Sequence, residues 1–350
     1  MRSGDHDLLC LSAMMFSRWK ATLSLVLLFA LGRAAAFGDL APSGVQAAAA
    51  YSASRTGGGV LVIQHGRTLL ATNPREAHRI YSGTKGFWMV AALAAAQEGI
   101  INLDERVSET IPEWKSDARK SRITVRELIS FTSGLEPMFG LHSNDFGDRN
   151  RAALAGSIVA EPGTRFIYGP AALQVFDEYF KRKLAAKGET PTQYLERKVL
   201  RPLHLGPQRY LADRVGNPLL AAGFTMTPSQ WARLGELILD GGRPVVSSGQ
   251  LAECFHGTSA NRSFGIGFWN NRAAPGGREL DIEDLLDKKW FEQDWGGICI
   301  CRDAPPDLVV GLGSGYQRLY VIPSLELIVV RFGNFGKFSD GTFLRMLLGK

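Results

Sequence analysis

Tyr81-Ser82-Gly83-Thr84-Lys85-Gly86 opens a segment that stays apolar as far as Gln97, and the reading of those six residues decides the fold. Ser82 and Lys85 are three positions apart, so on a helix they share a face and the amine can meet the hydroxyl. A serine at a helix N-terminus also has free backbone N–H groups nearby, suited to a developing oxyanion. The segment is apolar nearly all round, as a fully buried helix would be. Burial lowers the pKa of a lysine and helps its amine take the hydroxyl proton. The spacing alone carries little, because Ser17-Arg18-Trp19-Lys20 repeats it. Context separates the two: Lys85 is the only charge between Arg79 and Glu98, and such a lysine either snorkels or has a chemical task.

The flanking sequence supplies the rest of the fold. Residues 59–64 and 67–72 read as apolar strands joined at His65-Gly66, which makes His65 a turn residue. An Ala-rich helix is expected over 45–53. Thr124 and Glu127 fit a capping box, so a helix should run from Val125 to about Ser130 and end in the loop Thr132-Ser133-Gly134. The stretch 136–257 reads mostly helical, with helices at 172–186, 191–199 and 228–239, the last stopped by Gly241-Gly242. Strand-like runs return at 265–269, 297–301, 308–312, 318–322 and 325–332, with a turn at Pro323-Ser324 and a closing helix over 341–348. Strands at both ends around a helical middle predict an α+β fold. One antiparallel sheet is built from both chain ends and flanked by helices, with a helical insertion over about 115–257.

Composition narrows the class. The 350 residues are 45% apolar and 21% charged, enough for a sizeable core, and the net charge of +6 is modest. Arg119, Lys120 and Arg122 form a basic cluster, which reads as a solvated loop and gives no nucleic-acid partner. Arg18 and Lys20 precede an apolar run to Gly32, followed by Ala34-Ala35-Ala36. That is a secretory signal over 1–36, with Met15 as an alternative start. The run is shorter than the ~20 residues of a bilayer span, so membrane contact through it would be transient. The expected product is exported, periplasmic or secreted, with the catalytic domain over 37–350. Cys254, Cys299 and Cys301 show no disulfide framework and read as core residues. His78, His142, His204 and His256 show no metal spacing, and no Gly-x-Ser-x-Gly is present, so neither a metal nor a cofactor is implied.

Several segments together resemble one family. Tyr81 to Gly86 resembles the first motif of the class C β-lactamase, D-alanyl carboxypeptidase, family VIII esterase and aminohexanoate-oligomer hydrolase group. The segment 123–135, ending Thr132-Ser133-Gly134-Leu135, looks like that group's downstream segment, and 161–168 resembles the approach to its second motif. Tyr194-Leu195, Arg201 to Gly206 and Ala221 to Thr227 follow in the same order, so the resemblance spans about residues 40–335. It implies a β-lactamase/transpeptidase-like fold and a serine nucleophile. It also carries the second-motif tyrosine over to Tyr168, as a proton shuttle beside Ser82 and Lys85. To act as a base, a phenol needs a cation such as Lys85 beside it.

The departures from the family pattern bear on the substrate. Tyr168-Gly169-Pro170 stands where the family often has Tyr-x-Asn, and proline has no amide side chain for a substrate carbonyl. The third motif is placed at Gly311-Leu312-Gly313, followed by Ser314-Gly315, with no cation to attract a carboxylate. Gly313 and Gly315 allow close substrate approach, and the Ser314 amide would complete an oxyanion hole with that of Ser82. Glycines at a strand start or bulge would look the same. Phe131 stands where relatives often have His. Phe268, Trp269, Trp290, Phe291 and Trp295 would line an acyl pocket or pack as a core or lid. The expected activity is acyl-enzyme hydrolysis of carboxylic esters or simple amides. The alternatives are a β-lactamase or D-alanyl-D-alanine carboxypeptidase acting on a lactam or peptide, and a catalytically silent binding or sensor module.

Overall fold

The computed structural model describes residues 38–350, so the signal expected over 1–36 lies outside the described residues. Helix α1 (Pro42–Ser54) leads into the hairpin of β1 (Gly59–Gln64) and β2 (Arg67–Ala71). His65 and Gly66 adopt φ of 50° and 70°, the successive left-handed pair of a tight two-residue hairpin turn. The chain then turns through Tyr81–Gly83 into α2 (Thr84–Gln97). The next helices are α3 (Val125–Ile129), α4 (Arg149–Ala155), α5 (Pro170–Ala185) and α6 (Pro228–Leu239). Strands return as β3 (Trp269–Asn270), β4 (Val309–Gly313), β5 (Gln317–Ile322) and β6 (Leu327–Phe332), and α7 (Asp340–Leu348) ends the fold.

The six strands form one antiparallel sheet in the order β2-β1-β6-β5-β4-β3. The first strands therefore pair with the last, and the expected sheet from both chain ends is present. None of its strands falls between Ala71 and Trp269. Every residue of β4, β5 and β6 is buried, as happens when both faces of a sheet are covered. Helices α1 and α7 pack together, with α1 against β1, while α6 lies across β1, β5 and β6. A Cβ on Gly235 of α6 would stand 2.8 Å from Ile328 of β6, so a glycine lets helix and strand approach this closely.

Helix α2 is buried from Thr84 to Ala95, as its all-round apolarity demands. Thr124 caps α3 with the expected reciprocal bonds to Glu127. Two strand expectations shift. Gly265–Phe268 forms a tight turn, with the Gly265 amide donating to the Phe268 carbonyl at 3.0 Å, and only Trp269–Asn270 joins the sheet. Ile298–Cys299 pairs with Arg278–Glu279 in a separate parallel pair. Both runs have strand-like residues, but strand pairing is settled by tertiary neighbours more than by composition. Cys254, Cys299 and Cys301 are free and buried, as expected of core residues. No helix among the described residues is long and apolar enough to cross a membrane.

Candidate active site

Ser82 lies in a single 3₁₀ turn, Tyr81–Gly83, that runs directly into α2. Tyr81 before it has φ of 45°, an uncommon conformation for a bulky residue of the kind that gathers at functional turns. The turn is tied down on several sides. The Ile80 amide donates to the Phe224 carbonyl at 3.0 Å, and the Phe224 amide donates to Thr84 Oγ1 at 3.2 Å. A Cβ on Gly83 would come 2.4 Å from the Trp231 ring, so α6 presses against the turn at a point where only glycine fits. The start of β5 and the end of β4 pack against the same turn. A Cβ on Gly313 would fall 2.0 Å from the Ile80 carbonyl, which explains the glycine at the end of β4.

Lys85 Nζ lies 2.7 Å from Ser82 Oγ and donates to the Ala221 carbonyl at 2.9 Å. The side chain is almost wholly enclosed, and burial drives its pKa well below the usual lysine value. A neutral amine can donate to Ala221 and still offer its lone pair to the Ser82 hydroxyl, which an ammonium cannot do. Tyr168 completes the group. Lys85 Nζ stands 4.7 Å from the centre of its ring, and the nearby Ser82 hydroxyl favours its phenolate form. Burial raises the phenol's pKa by more than Ser82 lowers it. The expectation that Lys85 would depress Tyr168 therefore does not hold: a lysine kept neutral has no charge with which to do so. The protonation states that burial favours are a free amine at Lys85 and an intact phenol at Tyr168.

Ser314 is exposed in the turn joining β4 to β5, at the strand end beside the Ser82 turn. Gly315 is placed differently from the expectation. Its amide donates to Glu283 Oε1 at 2.7 Å and its carbonyl accepts from Gln317 Nε2 at 3.3 Å, so its backbone is engaged within the protein. Gly169 packs so closely on Pro137 that a Cβ would lie 2.4 Å from the Pro137 carbonyl, and Pro170 begins α5.

The aromatic cluster divides. Trp269 and Trp295 pack with their rings tilted and 5.3 Å apart, and Trp269 lies 6.3 Å from Tyr168. Phe131, Phe166 and Phe264 join them around the phenol, with Phe131 at 4.8 Å. Phe268 turns instead toward Phe255 and Gly86, and Trp290 pairs with Phe291 apart from the cluster. This apolar wall causes much of the desolvation felt by Tyr168. Three contributors escaped the sequence reading. The Ala221 carbonyl is backbone and leaves no side-chain signal. Glu283 sits in an acidic run that reads as solvated surface. His142, with burial holding its pKa at about 4, ends the 3₁₀ helix Phe139–His142 and carries no motif spacing. Among the described residues, Glu279, Cys301 and Asp303 could together approach a metal ion, but Arg345 already pairs with both carboxylates.

The sequence model of the Beta-lactamase family matches residues 44–335. The chain belongs to that family. Its fold is the β-lactamase/transpeptidase-like α+β arrangement, and solved structures agree over most of its length. EstCE1, described as a hydrolase with promiscuous acyltransferase activity, has a TM-score of 0.64 at 18% identity, covering 87% of this chain and 97% of that one. A family VIII carboxylesterase has a TM-score of 0.62 at 18% identity, covering 89% and 97%. Protein flp of Staphylococcus aureus is 25% identical over 170 residues, 43% of this chain and 34% of that protein. That match spans about a third of the relative's length.

Proposed function

We propose that this β-lactamase-family chain is a serine hydrolase that forms an acyl-enzyme at Ser82 and cleaves uncharged carboxylic esters or simple amides. The observation that carries the reading is the buried Lys85 amine, 2.7 Å from Ser82 Oγ and held there by the Ala221 carbonyl. In the first step Ser82 Oγ bonds to the substrate carbonyl carbon while its proton passes to Lys85 Nζ. The carbonyl electron pair moves onto oxygen, where the Ser82 and Ser314 amides would hold it. Collapse breaks the bond to the leaving alkoxide or amine, which takes a proton through Tyr168 from the Lys85 ammonium. Water then attacks the acyl-enzyme with the same groups in reverse order, releasing the acid and restoring the serine.

The preference for uncharged substrates rests on Gly311-Leu312-Gly313, which offers no cation to a carboxylate, and on Pro170 in place of an amide side chain. The ester chemistry is supported by the structural likeness to a family VIII carboxylesterase and to EstCE1, a hydrolase with promiscuous acyltransferase activity. The leader-like N-terminal sequence supports export. The test pairs an activated short-chain ester with a chromogenic cephalosporin, using wild type and Ser82→Ala. We expect ester turnover by the wild type, none by the variant, and little or no cephalosporin opening. Cephalosporin turnover without esterase activity would overturn the substrate preference.

A further inference from the structure

The three-residue turn Ser314–Tyr316 is shaped by a residue far from it in sequence. Glu283, in the short helix Ile282–Leu286, accepts from the Gly315 amide on Oε1 at 2.7 Å and from the Tyr316 amide on Oε2 at 3.2 Å. Arg318, fully buried in β5, donates to Glu283 Oε2 at 3.0 Å and to the Gly313 carbonyl at 3.2 Å. Its Nε donates to Asp340 at 2.8 Å, which anchors the guanidinium from the other side. The two groups therefore hold backbone atoms on both sides of Ser314. The turn needs holding, because Gly315 and Tyr316 have φ of 74° and 62° in succession, a conformation that tyrosine resists. The Glu283 side chain is 14% exposed, so water competes poorly for these bonds.

We propose that Glu283, backed by Arg318, is the positioning residue of the oxyanion hole, fixing the turn so that the Ser314 amide points to the oxygen of the acyl group on Ser82. This rests on the acyl-enzyme reading above. Glu283 touches no reacting atom. It acts by setting the Ser314–Gly315 peptide, and its effect belongs to the tetrahedral state, where charge develops on oxygen.

The experiment compares wild type, Glu283→Gln and Glu283→Asp. Each is assayed well below its melting temperature, with folding confirmed by circular dichroism. Gln replaces one acceptor by a donor that cannot bond an amide N–H. Asp keeps the charge for Arg318 but is too short to reach both amides, so it separates the clamp from the ion pair if Gln folds poorly. We expect kcat for an activated ester to fall roughly 10- to 100-fold in both variants, with KM changed less than about twofold. A trifluoromethyl ketone, which forms an oxyanion on Ser82 but is not turned over, should lose affinity in parallel. Folded variants with wild-type kcat and wild-type ketone affinity would overturn the positioning role while leaving the hydrolase reading intact. A wild-type protein that neither hydrolyses the ester nor binds the ketone would overturn both.

Discussion

Lys85 is placed where a lysine is least comfortable as a cation, and its neutrality sets the expected pH behaviour. Burial depresses its pKa, so the free amine predominates above a midpoint well below the ordinary lysine range. Activity should therefore rise with pH along one limb as Lys85 loses its proton, and fall as pH drops through that midpoint. A profile of kcat/KM against pH checks this. Lys85→Arg, which stays charged, should lose about 10²- to 10⁴-fold at every pH. Tyr168, kept as an intact phenol by burial, is suited to giving a proton to the leaving group. Tyr168→Phe should thus impair an alkyl ester more than a p-nitrophenyl ester, whose leaving group needs no proton. Equal losses on both substrates would contradict that role. Much of this was legible in the sequence. Ser82 and Lys85 stand out because one charge interrupts an apolar helix, although their spacing is matched by Ser17 and Lys20. The division of labour between Lys85 and Tyr168 was not, since it depends on how completely Phe131, Phe166, Phe264 and Trp269 enclose the phenol.

At the scale of elements, the Ser82 turn is positioned by close approach. Gly83 faces Trp231, Gly86 faces Leu234 and Phe268, and Gly313 faces the Ile80 carbonyl, each at a distance that a Cβ would violate. Gly83→Ala should cost about 1–3 kcal/mol, because the Trp231 ring in a packed core cannot withdraw freely. Urea denaturation measures the loss, and activity per folded molecule should fall with it as Ser82 is displaced. The long elements were legible because their patterns are local: α2 by its all-round apolarity, α3 by its capping box, and β1–β2 by the His65-Gly66 turn. The short strands were not. Trp269–Asn270 and Ile298–Cys299 are two-residue pairings chosen by neighbours distant in sequence. Glu283 was illegible for the same reason, because Asp281-Ile282-Glu283-Asp284 gives no sign that one carboxylate turns inward to grip the β4–β5 turn.

For the molecule as a whole, the helical part contains a buried acid that ties stability to pH. Asp177 is 1% exposed; it accepts from Asn150 at 2.7 Å, and its second oxygen has no hydrogen-bond partner among the described residues. Burial pushes its pKa up to about 7. A carboxyl raised above its unfolded value of about 4 leaves the folded state holding the extra proton between those limits. Stability from this group is thus fully present below about pH 4 and declines as pH rises through about 7. Asp177→Asn should remove the decline, leaving the variant more stable than wild type at pH 8, by up to a few kcal/mol, and similar to it at pH 4. Thermal midpoints at the two pH values check the prediction. A wild-type midpoint that rises from pH 4 to pH 8 by more than the variant's would contradict it.

Covalent capture decides whether Ser82 is an activated nucleophile. The wild-type protein is incubated with a fluorophosphonate and its intact mass is measured, with the modified peptide then mapped. One adduct per chain is expected, located on Ser82, absent from Ser82→Ala and strongly slowed in Lys85→Arg. No adduct under conditions that label a control serine hydrolase, or an adduct on another residue that persists in Ser82→Ala, would contradict it.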